Sequence, residues 1–291
     1  MSESAAHDID AAFGASLDAA IDTKQAWGRF TPAGAAATTL ALCAGMPTSA
    51  RVFYSLNKLI RGPLKNATPR VFDVQRFGLN LRLLTRGNYC ETSALFAPGF
   101  YDVPERAWIA ANLPAGGVFL DVGGNVGLYS LTTAHTVAGA RVITVEPDPR
   151  LAARMHFNAR TNGLAVEHHE VALGDEEGRA SLLRSGQQSG ANRLAGAGEL
   201  GGDRLDVRLM PLVSLCRENT ISHIDVMKID IEGYEKPVLD HFFAHAPEEL
   251  WPKGIVIEHS HDVAGVVENL VERHGYRMDE KTSRNVALKR P

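Results

Sequence analysis

Apolar and polar positions change period twice along this chain. The first thirty residues, rich in Ala and Asp, show weak periodicity and read as a frayed or partly helical leader. Thr31-Pro32 breaks the chain before an Ala/Leu-rich segment, 33–44, and Pro47-Thr48-Ser49 opens a second helical pattern. That pattern puts Val52, Leu56, Leu59 and Ile60 on one stripe, and Gly62-Pro63 is expected to end it. Over 71–84 the period falls toward two around Gly78, which predicts a hairpin. Residues 103–113, with Pro104 in the first turn, predict a short helix. After Pro114 the texture becomes a strand–helix alternation. Strands are predicted at 118–122, 141–145, 169–173, 224–229 and 254–258, helices at 127–137, 149–161, 234–245 and 263–274, and closing strands at 276–279 and 286–289. Near-continuous apolar strands are those buried on both faces of a parallel sheet, so the predicted class is α/β. The Gly/Ala/Ser-rich stretch 185–202 predicts a mobile loop. The expected division is a helical and hairpin extension over 1–100, serving as a cap or an oligomerisation element, and an α/β domain over 101–291.

Composition narrows the classes. Of 291 residues 45% are apolar and 22% charged, enough to bury a sizeable core. Thirty Lys and Arg against 34 Asp and Glu give a charge of -4, which argues against a nucleic-acid binder that relies on a basic surface. Cys43, Cys90 and Cys216 lie far apart, with no CxxC or zinc spacing, and point to a reducing, cytoplasmic setting. The acidic start lacks the basic and apolar regions of a signal peptide. The most apolar early run, 33–46, is about half the length a bilayer span needs, so no membrane span is expected.

The densest chemical signal is Asp121-Val-Gly123-Gly124-Asn125-Val-Gly127, where a buried strand passes through glycines into a helix. Such a turn lets a ligand approach the backbone beyond the carboxyl ends of the strands. The next strand ends in Glu146, placed to accept hydrogen bonds from both ribose hydroxyls of a nucleoside. A dinucleotide fingerprint would read G-x-G-x-x-G; here an acid precedes the turn, unfavourable beside a pyrophosphate and favourable beside an ammonium or a sulfonium. S-adenosylmethionine (SAM) is therefore preferred over NAD or FAD. The third strand brings Ala172, a small apolar residue suited to a flat base.

A second cluster follows the fourth strand: Lys228-Ile-Asp230-Ile-Glu232-Gly233-Tyr-Glu235. Glu235 suits a helix N-terminus, where the dipole stabilises an acid. Asp230, still on the strand, does not fit that role and is expected in the cleft with Glu232. The fifth strand leads to Glu258-His259-Ser-His261-Asp262. His259 is a candidate general base, and spacing alone fixes no metal set for the two histidines.

Taken in order, the glycine turn, Val145-Glu146-Pro147, Asn158…Asn162-Gly163, Val171-Ala172-Leu173-Gly174 and the block from Lys228 to Glu235 resemble the FkbM family of SAM-dependent methyltransferases. One departure is Gly124, where alanine is the commoner residue. The resemblance implies a Rossmann-like class I methyltransferase fold: a seven-stranded, mostly parallel sheet with the last strand reversed. It also implies O-methylation of a sugar, polyketide or other small metabolite. Asp121, Gly123, Gly124, Asn125 and Gly127 would hold the methionine end of SAM, Glu146 the ribose and Ala172 the base. Asp230, Glu232 or His259 would orient or deprotonate the acceptor hydroxyl, and a divalent cation is an alternative means to the same end. Two other readings stay open: an NAD-dependent oxidoreductase, and a non-catalytic binding protein that kept the fold.

Overall fold

The computed structural model describes residues 23–48, 51–65, 71–185, 191–196, 199, 201–258 and 264–291. Most of the expected leader, part of the Gly-rich stretch, His259 and His261 lie outside these residues. Two helices, Gly34–Ala44 (α1) and Arg51–Lys65 (α2), precede a hairpin of Val71–Arg76 (β1) and Leu79–Leu84 (β2). Helix α2 runs through Gly62-Pro63 rather than ending there. The hairpin turns at Phe77-Gly78, both with positive φ. Helices Tyr89–Phe96 (α3) and Val103–Asn112 (α4) follow.

The alternating region then unfolds as Val118–Val122 (β3), Leu128–Thr136 (α5), Arg141–Val145 (β4), Pro149–Thr161 (α6) and Glu167–His169 (β5). Next come Ala172–Gly174 (β6), Gly178–Arg184 (β7), Arg193–Leu194 (β8), Asp203–Pro211 (β9) and Leu212–Glu218 (α7). The chain continues with Val226–Ile229 (β10), Glu235–His245 (α8), Gly254–Glu258 (β11), Ala264–His274 (α9), Arg277–Lys281 (β12) and Asn285–Lys289 (β13). Seven strands form one sheet in the order β12-β13-β11-β10-β3-β4-β5. Pairings among β5, β4, β3, β10 and β11 are parallel, and β13, the last strand, runs antiparallel to both neighbours. This is the class I methyltransferase arrangement. Strand order reverses between β3 and β10, the switch point where an open α/β sheet binds its ligand.

Two predicted features change. The strand expected at 169–173 is two strands, β5 at the sheet's edge and β6, which leaves it to pair with β9. Strands β6, β9, β7 and β8 form a second, four-stranded sheet, so the stretch expected as a loop contributes a strand, Arg193–Leu194.

The segment before residue 100 shares a core with the sheet's helices. Leu81, Leu83, Leu95 and Phe96 pack with Leu128 and Leu131 of α5 and Leu151 of α6. Polar groups fix the register. Asn158 on α6 and Asn162, its C-cap one turn later, act as a surrogate strand along β2: Asn158 Oδ1 accepts from the Arg82 amide at 2.8 Å, and Asn162 Oδ1 from the Asn80 amide at 2.8 Å. The asparagines that carried part of the family resemblance thus dock the hairpin and cover its edge. Glu91 of α3 and Arg154 of α6 add a buried ion pair across the same seam. Among the described residues no helix is long and apolar enough to cross a membrane.

Candidate active site

At the switch point β3 gives way to five residues that must turn sharply without leaving the sheet. Gly123 (φ 77°), Asn125 (φ 53°) and Gly127 (φ 74°) take left-handed backbone, which glycine adopts freely and asparagine tolerates. The amides of Gly123 and Gly124 both donate to the Val145 carbonyl at 3.0 Å, folding the turn over the end of β4. Gly127 leaves room for Met155 of α6, whose Cγ would stand 2.3 Å from an added Cβ. Gly124 has an ordinary φ, and its departure from alanine has a steric cause. An added Cβ would lie 2.6 Å from Thr144 Oγ1, which is itself hydrogen-bonded to Ser130 Oγ at 2.5 Å. Gly124→Ala is therefore expected to cost about 1–3 kcal/mol by overpacking. Added to Thr144→Ala it should cost clearly less, and strict additivity in a urea-denaturation double-mutant cycle would count against the contact.

Asn125 joins three parts of the molecule. Its amide donates to Glu146 Oε2 at 2.8 Å, its Oδ1 accepts from Asn88 Nδ2 at 2.7 Å, and its Nδ2 reaches Cys90 Sγ at 3.5 Å. Glu146 Oε1 accepts from the Asp148 amide at 2.9 Å. One backbone donor on each oxygen orients the carboxylate and leaves each with capacity for another hydrogen bond. Burial pushes the Glu146 carboxyl up to about 7, against the pull of the Asp148 and Asn125 amides. Ala172 and Leu173 of β6, Leu182 of β7 and Leu194 of β8 form an apolar slot beside it. Asn192 Nδ2 donates to Asp148 Oδ2 at 3.0 Å, tying the segment before β8 to the loop that carries Glu146.

One cavity of about 330 Å³ opens at the carboxyl ends of β3, β4 and β10. Gly123, Gly124, Asn125, Glu146, Ala172, Asp230 and Glu232 line it. Asp121 does not. It is fully buried, its Oδ2 accepting from Ser130 Oγ at 2.6 Å and the Ser130 amide at 3.2 Å. The expected direct contact between Asp121 and a ligand's ammonium is therefore corrected: strand alternation turns this side chain beneath the glycine turn, against α5. Gly127 likewise serves the turn and the packing of α6 rather than the cavity wall. Glu235 is structural, its Oε1 accepting from the Ile231 amide at 2.8 Å. His259, the other catalytic candidate, lies outside the described residues.

The far end of the cavity is charged. Asp230 Oδ2 pairs with Lys228 Nζ at 3.2 Å. Burial would raise the Asp230 carboxyl, but the Lys228 ammonium, with help from Glu258 and Arg284, holds it below the usual carboxylate range. Burial works against the Lys228 cation as well; Asp230 and Asp121 override it and raise its pKa. Its ammonium also contacts the Gly123 carbonyl at 3.4 Å and stands 5.2 Å from the Tyr129 ring centre. Arg284, from the β12–β13 turn, reaches Glu258 Oε1 at 3.2 Å and stacks 5.0 Å over the Tyr89 ring. Tyr89 and Cys90 bring α3 into the wall, and burial pushes the Cys90 thiol up to about 11, leaving it neutral.

Lys228, Glu258, Arg284, Tyr89 and Cys90 are not among the sequence-predicted site residues. Only Lys228 carried a local signal: a lysine inside an otherwise apolar strand, Val226-Met-Lys-Ile, must have a buried partner. Among the described residues no cluster of three His, Cys, Asp or Glu side chains could hold a metal ion.

The chain is similar to several known proteins. The chain is 28% identical over 235 residues to the AMB antimetabolite synthetase AmbE of Pseudomonas aeruginosa, a match covering 66% of this chain and 11% of the synthetase. It is 26% identical over 196 residues to the 31-O-demethyl-FK506 methyltransferase FkbM of Streptomyces tacrolimicus, covering 56% of this chain and 74% of that protein. A solved structure, the tRNA (uracil-54, C5)-methyltransferase of Pyrococcus abyssi in complex with S-adenosyl-L-homocysteine, has 12% identity and a TM-score of 0.43, covering 76% of this chain and 43% of that one. The model of the methyltransferase FkbM domain matches residues 121–278, more than half of the chain. That match takes in the glycine turn, Glu146 and the Asp230 loop together, and the protein belongs to the FkbM methyltransferase family.

Proposed function

We propose that the cavity takes SAM and that the protein methylates a hydroxyl of a small molecule such as a sugar, a polyketide or another secondary metabolite. The observation that carries this reading is the joining, in one cavity, of an oriented ribose-type acceptor at one end and an ionised, lysine-paired carboxylate at the other. The residues present fit the donor. Glu146 would take the ribose hydroxyls, the slot around Ala172 and Leu182 would take the base, and the glycine turn leaves room along β3 for the methionine portion. When bound, SAM supplies a methyl group on a positively charged sulfur.

The chain's own contribution is to hold and to receive. Alignment of an acceptor oxygen with that methyl is worth on the order of 7–11 kcal/mol in favourable systems. Asp230, kept ionised by Lys228, can accept a hydrogen bond from the acceptor hydroxyl and fix its direction. A carboxylate this weakly basic does not remove the proton in advance. It takes the proton as the oxygen turns acidic on bonding to carbon.

Calorimetry tests the reading and its pH dependence together. SAM and S-adenosylhomocysteine are expected to bind, and NADH is not; the reverse would favour the oxidoreductase. The hydroxyls of a ribose donate best to an ionised Glu146. With that carboxyl at about 7 in the free protein, SAM affinity is expected to be about tenfold higher at pH 8 than at pH 6. Glu146→Gln should lose that dependence, and Glu146→Ala should weaken SAM about 100-fold or more. Neither change should unfold the chain. The folded-state pKa lies above the ordinary 4.5, so this group's stabilising contribution is complete below about pH 4.5 and is lost as pH rises through 7. At pH 8 its buried charge is a burden of about 3 kcal/mol, and apo Glu146→Gln should melt no lower than the wild type.

A further inference from the structure

Strands β10 and β11 run parallel with Ile229 abreast of Ile257, so the residue that follows each, Asp230 and Glu258, emerges side by side at the carboxyl edge. Both carboxyls are poor in solvent, 28% and 8% exposed. Adjacent buried carboxyls repel each other when both are ionised, which favours a proton held between them. A cation stands at each end: Lys228 Nζ at 3.2 Å from Asp230 and Arg284 Nη2 at 3.2 Å from Glu258.

We propose that Glu258 is a positioning residue for the transfer step, forming with Asp230 a proton-sharing carboxyl pair clamped between Lys228 and Arg284. This rests on the methyltransferase reading above. Asp230 faces the cavity and Glu258 does not line it, so Asp230 meets the acceptor while Glu258 acts only through it. The shared proton resides on Glu258, because the Lys228 charge keeps Asp230 ionised against the effect of burial. The pair then presents one negative charge, its accepting oxygen fixed from behind. As the acceptor oxygen bonds to the methyl carbon, the carbon–sulfur bond breaks and its electron pair stays on sulfur. The hydroxyl proton passes to Asp230. The pair, now neutral, returns one proton to solvent.

Other charged and titratable groups surround the pair. Asp121 faces Lys228 from β3, and Asp102, before α4, faces Arg284. The neutral Cys90 thiol on α3 and the Tyr129 ring on α5 lie near Lys228, and Glu232 borders the same cavity as Asp230. Asp121 and Asp102 are buried, and burial raises both carboxyls. Each must be assigned separately in any titration.

Carbon-13 NMR of the full chain, labelled at Asp and Glu carboxyl carbons and titrated from pH 3 to 9, tests the pair without needing an acceptor. Coupled sites titrate in two steps that belong to the pair. The Asp230 and Glu258 carbons are expected to respond to both steps at common midpoints. In Glu258→Gln, whose amide can donate to Asp230, the upper step should vanish and Asp230 should titrate once. Arg284→Met, a change at a half-exposed side chain, should move the upper step to higher pH, and it serves as the test if Glu258→Gln does not fold. Independent single-step titrations of the two carbons, unmoved by either substitution, would overturn the proposal. SAM calorimetry on the same samples separates the failures: lost coupling with intact SAM binding removes the pair alone, whereas wild type that never binds SAM removes the methyltransferase reading.

Discussion

Asp230→Asn is expected to lower turnover by at least about 100-fold while changing SAM affinity by less than about tenfold. The substitution keeps the shape of the side chain and removes two capacities. An amide cannot receive the acceptor proton, and its oxygen is a weaker acceptor for the hydroxyl that must be aimed. Lys228 loses its carboxylate partner but keeps the Gly123 carbonyl at 3.4 Å and the influence of Asp121 beneath the turn, so the fold around the cavity should hold. Glu146 and the apolar slot lie at the other end of the cavity, which is why binding should survive. One negative charge fewer beside a cationic donor accounts for the modest loss allowed. The measurement is S-adenosylhomocysteine release against a panel of hydroxylated metabolites, with calorimetry on the same preparation. Full turnover in Asp230→Asn would take this residue out of the transfer step, and loss of SAM binding with turnover would move it to the donor site.

What the sequence disclosed and what it hid divide along physical lines. Strands β3, β4 and β11 are apolar runs bounded by turn residues, and their limits match the predicted ones. Helix α6 matches as well, because Asp148 caps it and Pro149 starts it. Apolar periodicity reports burial, and these elements are buried on both faces or along one stripe. The split between β5 and β6 was hidden because Val171, Ala172 and Leu173 are as apolar as a central strand. All three line the cavity; Val171 and Leu173 stay in the core of the first sheet while Ala172 packs in the second. Strand β9 shows a plain alternation, Leu205, Val207, Leu209, with polar residues between, yet it is absent from the predicted strands.

The site divides in the same way. Glycine turn and strand-end acid are local signals, and Gly123, Asn125, Glu146 and Asp230 all reach the cavity. Asp121 misleads for a reason the sequence does not carry: whether an acid beside a turn faces a ligand or a serine depends on the helix that follows. Ser130 of α5 takes it. Tyr89, Cys90 and Arg284 are brought in from α3 and the β12–β13 turn, more than 30 residues before the glycine turn and more than 50 after Asp230 in the chain. No spacing rule links them to it. The contact of α3 with the Asn125 side chain, through Asn88 and Cys90, becomes visible only once α3 is packed on α5 and α6.

Gly123→Ala should be the most damaging single methyl in the protein, destabilising it by more than about 4 kcal/mol or abolishing folding. Two costs combine. The φ of 77° puts any L side chain in the left-handed region, worth about 1–2 kcal/mol. The larger cost is contact: an added Cβ would lie 1.9 Å from the carbonyl oxygen of Asp230. That oxygen is backbone and cannot rotate away as a side chain would. The amide of the same residue donates to the Val122 carbonyl at 3.0 Å, so moving Asp230 pulls on β3. Moving Gly123 instead breaks its own bond to the Val145 carbonyl on β4. Three strands are therefore locked at one point, and the cavity exists because no side chain stands there. Gly127→Ala shares the backbone strain, but its Cβ would meet Met155, a flexible side chain that can shift, and it should cost less. Urea denaturation of the three glycine variants is expected to rank Gly123 far above Gly127 and Gly124. A Gly123→Ala protein of near-native stability would mean that the turn can move away from Asp230, and the tight junction between donor site and transfer site would go with it.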